Sequence, residues 1–435
     1  MANPARDTSK KSVPPARSGG IATERSPEFS LPLRFFGLGI AAYFVAMLGI
    51  AFVGPALTGS PWNPRILGLT HVMTLGAIVG MIMGASYQMV PVVLLAPIWN
   101  QRLGKLSFWV FLPGVVAMVV GFWGSMPAWL GIGATLAGTA IAAFLVNILV
   151  SLIRGARWNM VGAFLVTALL CLGAAVTLGM IRAFGYLDPA AAWRIPNALT
   201  VHAHLAAFGC ASLLIFGVSY RLIPMFAVTS EIDRRGWIVL ALAGAGILGI
   251  TGGSLLEAAV CMRAGATLAA ASACLWAWDA AAMFRGRIRK KLDPGLTYVA
   301  TAIGWLILAA GMGLALAWGW IPPGITPDRW AIAYALVGFI GFIGFSIIGQ
   351  FHKIMPFLAW YHRYSSLVGK TKVPLIKDIY DEKLAWYGYW AAQAGLAIGV
   401  GSVLAGAGLL VRVAGVLLAL GALAAATMTY QTLKR

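Results

Sequence analysis

Two histidines at equivalent positions are the residues of this 435-residue chain best suited to chemistry. Of the five histidines, His71 and His204 are each followed by glycine at offsets +5 and +13, tyrosine at +16 and proline at +20. Both lie near the start of a long apolar stretch, where a titratable side chain is costly and indicates a functional site by default. Because neutral imidazole ligates metal ions and haem iron, the pattern predicts His71 and His204 as ligands of a metal ion or of haem iron.

A third copy of the pattern begins at Leu336, where no histidine stands. It keeps Gly341, Gly349 and Pro356 at the same offsets, and His352 replaces the tyrosine. The copies begin at residues 71, 204 and 336, so the period is about 133 residues. This agreement in three copies indicates an internal repeat rather than chance.

The glycines, tyrosines and prolines of the pattern share one face of a regular α-helix. At 100° per residue their offsets fall within one narrow stripe, and the histidine points away from that stripe. Glycines on one face allow two helix backbones to approach closely. The pattern therefore predicts a packing surface, which we call the glycine seam: Gly76, Gly84, Tyr87 and Pro91; Gly209, Gly217, Tyr220 and Pro224; Gly341, Gly349 and Pro356.

His202 precedes His204 by two residues and has two interpretations. On a regular helix it lies about 200° around from His204, on the seam side, where we expect it to pack or to form a hydrogen bond. On an irregular helix both rings could converge, so His202 is also a candidate metal ligand. We expect His352 and His362 to act as aromatic rings at the membrane interface.

The outer histidines also have interpretations that involve no cofactor. Each ring could bond a neighbouring backbone carbonyl near the membrane surface. Alternatively, the two rings could serve as transient sites in the transport of protons or of a small solute.

The composition is that of a polytopic membrane protein. The chain is 60% hydrophobic and 10% charged, with a mean hydropathy of +0.85, whereas soluble domains carry about 25% charged residues. Twelve apolar stretches are long enough to cross a bilayer. They are 33–57, 67–92, 106–123, 126–152, 160–185, 199–222, 236–258, 262–284, 296–319, 330–353, 384–406 and 408–430.

Twelve spans and three copies of the pattern give four helices per unit, with the pattern on the second helix of each. An even number of helices gives all three units the same orientation, so an axis along the membrane normal relates them. We therefore predict an all-α polytopic membrane protein of about twelve transmembrane helices in three four-helix repeats. The membrane domain is 31–435, with repeats at approximately 31–158, 159–293 and 294–435.

Positive charge predicts the orientation of the chain. The net charge is +19, and most Lys and Arg fall in the tails and alternate loops, as the positive-inside rule requires of cytoplasmic segments. Both termini are then cytoplasmic, residues 1–30 form a disordered basic tail, and the histidines of the pattern lie at the outer end. The charge indicates contact with anionic lipid rather than with nucleic acid.

The three units and the histidines on helices 2 and 6 resemble the catalytic subunit of the haem–copper oxidases. In that family helix 2 carries a haem ligand and helix 6 a copper ligand, positions that His71 and His204 match, and the resemblance covers 31–435. Helix 7, "GWIVLALAGAGILGI", lacks the family's histidine pair, and helix 10 lacks its haem histidines. The resemblance therefore implies that this chain is not a terminal oxidase by itself.

The sequence is more similar to NnrS-like and other bacterial membrane proteins that retain the His-Gly-Gly-Pro helices without the full set of oxidase ligands. This resemblance implies a multi-pass protein of the bacterial inner membrane that binds haem or copper and acts in the response to nitric oxide or respiratory stress. A respiratory or small redox partner would then be expected. The alternatives are a transporter of a small solute or metal ion and a non-catalytic subunit of a respiratory complex.

Overall fold

The computed structural model describes residues 27–156, 158–186, 195–232 and 234–434. Within these ranges the chain is helical and contains no strand. Twelve long helices follow one another, numbered 1 to 12 in chain order. They are Ser30–Val53, Pro64–Val93, Gln101–Trp123, Pro127–Gly155, Met160–Gly185, Ala198–Ala227, Arg234–Leu255, Ala259–Arg285, Pro294–Trp318, Pro327–Leu367, Glu382–Ala405 and Gly408–Lys434.

Eleven of these helices are both long and apolar enough to cross a membrane. The remaining one, helix 11, has 24 residues, which is long enough. Its first half is rich in Tyr and Trp and contains Gln393, and these side chains lower its hydropathy. The prediction of an all-α polytopic membrane protein is confirmed.

Local sequence signals explain where many helices begin. The side chains of Asn63, Asn100 and Asn159 accept a hydrogen bond from a backbone N–H in the first turn of helices 2, 3 and 5. Asp293 and Asp381 do the same for helices 9 and 11. Each cap satisfies one of the donors that a helix leaves open at its N-terminus. The starts of these five helices are therefore indicated by the local sequence.

The third and fourth helices of each unit form a tight hairpin. Only two or three residues separate helix 3 from 4, helix 7 from 8, and helix 11 from 12. Glycines bring the paired backbones together: a Cβ at Gly114 would lie 2.5 Å from the backbone nitrogen of Ala137, and one at Gly246 would lie 2.7 Å from that of Ala269. Helix 12 also packs on helix 1 through Gly415 and Ala51, which closes the ring of units.

Helices 2, 6 and 10 each contain an eight-residue π-helical segment. The segments are Val72–Val79, Leu205–Ser212 and Val337–Gly344. Each begins one residue after the first position of its repeat, at 71, 204 or 336. Segments of π-helix are rare and frequently occur at functional sites. They also mean that the 100° per residue assumed for the sequence prediction does not hold along the whole of these helices.

The glycine seam lies against the first helix of its own unit. A Cβ at Gly76 would meet Ala42 of helix 1, and one at Gly209 would meet Cys171 of helix 5. Farther along, Gly349 contacts the backbone of Gly295 on helix 9. Helix 10 also contacts helices 2 and 6 near the centre of the molecule, through their π-helical segments. The seam therefore holds each central helix against the outer helix that precedes it.

Polar side chains tie the helices together at the end opposite His71 and His204. The Tyr220 hydroxyl donates a 2.9 Å hydrogen bond to the Asp279 carboxylate, and Arg235 forms a 2.8 Å ion pair with the same carboxylate. In the first unit the Asn147 side chain bonds the backbone of Asn100 in both directions. The first group of contacts joins the inner ends of helices 6, 7 and 8, and the second joins the start of helix 3 to the inner end of helix 4.

Candidate functional site

A cavity of about 140 Å³ lies at the His71 end of the bundle, between helices 2, 3, 4, 5 and 6. We call this end the outer end, following the orientation predicted from charge, and this space the outer cavity. A single water molecule needs roughly 10–15 Å³, so the space is much larger than a packing defect. Its wall contains seven small residues: Ala134, Ala137, Gly138, Ala175, Gly179, Ala183 and Ala206.

His71 borders the outer cavity from helix 2. Its Nδ1 lies 2.7 Å from the carbonyl oxygen of Leu67, one turn earlier, and its ring stacks on Phe122 of helix 3 with centroids 4.8 Å apart. A carbonyl oxygen only accepts, so Nδ1 carries the proton and donates it. The neutral ring therefore keeps the lone pair on Nε2, and Phe122 holds the ring plane in place.

His202 borders the same cavity from helix 6. Its Nδ1 lies 2.8 Å from the carbonyl oxygen of Ala175 on helix 5. The ring also sits over Gly179 of helix 5, where a Cβ would come within 3.0 Å of Cε1. By the same argument His202 donates from Nδ1 and keeps the lone pair on Nε2. His71 of the first unit and His202 of the second unit thus border the outer cavity with the same tautomer.

The structure groups His71 with His202 and leaves His204 apart. The Nδ1 of His204 bonds the carbonyl oxygen of Thr200 at 2.8 Å, as His71 does with Leu67, but His204 is not part of the cavity wall. The sequence prediction paired His71 with His204 because they are equivalent in the repeat. Equivalent residues of units related by rotation face equivalent but separate spaces. One shared cavity between two units receives non-equivalent residues, and here these are His71 and His202.

Aromatic side chains fill the interior between helices 6, 8 and 10. Trp276 of helix 8 stacks on Phe216 of helix 6 at 4.7 Å and contacts Phe342 of helix 10 at 5.8 Å. All three rings are buried. Bulky rings thus occupy the interior between helices 6, 8 and 10, whereas alanines and glycines border the outer cavity.

The remaining histidines lie away from the outer cavity. His352 is buried, bonds the carbonyl oxygen of Ile348 at 2.7 Å and contacts Tyr298. His362 stacks on Phe29 at 4.5 Å, near the opposite membrane surface. Both rings pack among aromatic residues at the inner end of helix 10, and neither joins another histidine.

Three other side chains that border the outer cavity bear on its chemistry. Arg182 stands at the exposed outer end of helix 5, and Met118 and Met180 border the cavity from helices 3 and 5. Among the described residues no three His, Cys, Asp or Glu side chains group as a metal site would require. The groups at the cavity that could ligate a metal are therefore the two imidazoles and the two thioethers, and the other polar groups are the Arg182 guanidinium, the hydroxyls of Thr74 and Tyr186 and the indole of Trp62.

No protein-family model matches the chain, and no curated protein sequence matches it either.

The two-residue spacing of His202 and His204 on helix 6 indicates that the two rings face different sides of the helix. Residues two apart on a helix face directions about 200° apart, so His202 and His204 must face different neighbours. The equivalents of His202 in the other repeats are Leu69 and Tyr334, which pack on Gly49 and Gly313 of the preceding helices. His202 has that packing role as well, but its ring also reaches the outer cavity.

Proposed function

We propose that this multi-pass membrane protein binds one haem in the outer cavity, where His71 and His202 would hold it. The observation that supports the proposal is the pair of neutral imidazoles that border one cavity, each with Nδ1 bonded to a backbone carbonyl. Histidines that ligate metals almost always donate their other ring N–H in this way, which orients the ring and raises its basicity.

The wall of the cavity is largely apolar, and glycines bring its side chains close to the neighbouring helices. A Cβ at Gly138 would lie 2.5 Å from the sulfur of Met180, and one at Gly179 would press on His202. The two glycines therefore make room for the Met180 and His202 side chains at the edge of the cavity. Arg182 borders the exposed side of the cavity, and its guanidinium can pair with the carboxylates of a haem by paired hydrogen bonds.

A haem held by both His71 and His202 would supply one-electron redox chemistry. The chain's own residues would exclude water with apolar walls, and the carbonyl bonds would hold the proton of each ring on Nδ1, so that Nε2 faces the ligand with its lone pair. We therefore propose electron transfer, with a respiratory or small redox protein as partner, in preference to catalysis on a diatomic gas. Location in a bacterial inner membrane with cytoplasmic termini belongs to the same proposal, and its support is the distribution of Lys and Arg.

Copper is the second candidate because Met118 and Met180 border the same cavity as the two histidines. Thioethers select Cu(I), and imidazole also suits copper. A site with two imidazoles and a thioether would hold a single ion without the macrocycle. The two candidates share the histidines and differ in the role of the methionines, so one purification can distinguish them.

An optical spectrum and metal analysis of the purified protein test both candidates. We expect protein made in haem-supplied, copper-supplied cells to show a Soret band and about one iron per chain, because the donors fit two-imidazole ligation. About one copper per chain without a Soret band would favour the second candidate and replace the first. Protein that contains neither, although folded and made in well-supplied cells, would contradict both.

A further inference from the structure

A second cavity, of about 110 Å³, lies among the three central helices. Helices 2, 6 and 10 contribute most of its wall, from Met81 to Val93 on helix 2 and from Ser346 to Ile354 on helix 10. These residues lie in the inner half of the membrane domain. The outer cavity lies in the other half, because the last helix 2 residue in its wall is Val79. We call this space the axial cavity, because it lies where the three units meet.

Polar side chains of the axial cavity have unsatisfied hydrogen-bonding atoms. The hydroxyls of Ser86 and Ser346 and both amide atoms of Gln350 are buried and have no hydrogen-bond partner within the described parts of the chain. Ser86 and Ser346 are only 4% and 3% exposed. They come from helices 2 and 10, and all three residues border the same cavity.

No residue that the structure describes forms a hydrogen bond with any of these four atoms. The rest of the wall is apolar apart from Ser219, and buried polar groups without a partner are rare because each has lost its hydrogen bonds to water. Gln350 offers both a donor and an acceptor, and the serine hydroxyls can serve as either. The occupant must therefore be small, neutral, and able to donate and accept hydrogen bonds.

We propose that the axial cavity holds a cluster of ordered water molecules bound by Ser86, Ser346 and Gln350. One water needs roughly 10–15 Å³ and typically makes two to four hydrogen bonds, so the space accommodates several waters that bond the four atoms and one another. The cluster links units one and three across the centre of the bundle. It also extends hydration from the inner side to about mid-membrane, and it does not depend on the proposed haem.

Hydroxyl-radical footprinting of the full chain in lipid nanodiscs tests the proposal, because radicals formed from bound water oxidise the side chains beside it. Met81 borders the axial cavity and is 3% exposed, whereas Met83 on the same helix is 0% exposed and does not border it. Both residues are methionines shielded from bulk solvent, so Met83 is a matched internal control. We expect Met81 to be oxidised about tenfold faster than Met83.

The triple variant Ser86→Ala, Ser346→Ala, Gln350→Leu removes three of the four polar side chains that border the cavity and should leave it largely dry, since apolar cavities stay empty. The Met81 rate should then fall to near the Met83 rate. The single variant Ser346→Ala, a nearly isosteric change, should lower the Met81 oxidation rate part of the way. It provides the test if the triple variant does not fold. Equal rates for the two methionines in the wild type, or a Met81 rate unchanged in a folded variant, would overturn the proposal.

Discussion

Replacement of His71 or His202 by alanine is expected to abolish cofactor binding, whereas replacement of His204 leaves the cofactor bound. His71 and His202 border the outer cavity, and His204 does not. Changes around a metal ligand typically cost 10–100-fold in affinity, so loss of a ligand itself should cost about 100-fold or more. The measurement is the ratio of Soret absorbance, or of copper, to protein in the three purified variants.

His204 is a closely matched control for this experiment. It stands two residues from His202, and its Nδ1 bonds a backbone carbonyl one turn earlier, as that of His71 does. Its loss should cost only the hydrogen bond, about 1 kcal/mol of stability. If His204→Ala loses the cofactor and His202→Ala retains it, the pairing through the repeat predicted from sequence is right, and the assignment to the outer cavity is wrong.

Gly341→Leu is expected to reduce folded yield and thermal stability severely. A Cβ at Gly341 would lie 2.8 Å from the Trp305 ring and 2.9 Å from Leu396. Trp305 cannot easily move aside, because its indole N–H donates a 3.0 Å hydrogen bond to Gln393, whose amide in turn donates to Thr301. Overpacking of a filled interior costs about 1–3 kcal/mol, and the remaining leucine atoms would add to that cost.

Gly338→Leu provides the control for this prediction. Gly338 lies three residues earlier in the same π-helical segment, and a Cβ there would meet nothing within 4 Å. Its replacement should change stability by only about 0.5 kcal/mol. The comparison is the melting temperature and monodisperse yield of the two variants in one detergent. Similar values for both would show that the glycine seam is not required for packing at this position.

The sequence by itself determined the class of fold, because membrane insertion depends on the length and hydropathy of local segments. Each span needs only enough apolar residues to cross the bilayer, and the helix starts are set by neighbouring caps such as Asn100 and Asp381. The glycine seam could also be located from spacing alone. Gly76 and Gly209 lie against the preceding outer helices, because helix periodicity places regularly spaced residues on one face.

Only the tertiary structure decided which two histidines border the same cavity. Repeat equivalence relates His71 to His204, but equivalence across a rotation places two residues in different spaces. The outer cavity lies between two units, so its walls combine His71 with His202, a pairing that depends on the arrangement of five helices. The π-helical segments likewise escaped prediction, because their hydrogen bonds shift by one residue without a signal in hydropathy. The spacing of residues along the chain shows which of them lie on one face of a helix. Which faces of different helices border the same cavity depends on how the helices pack.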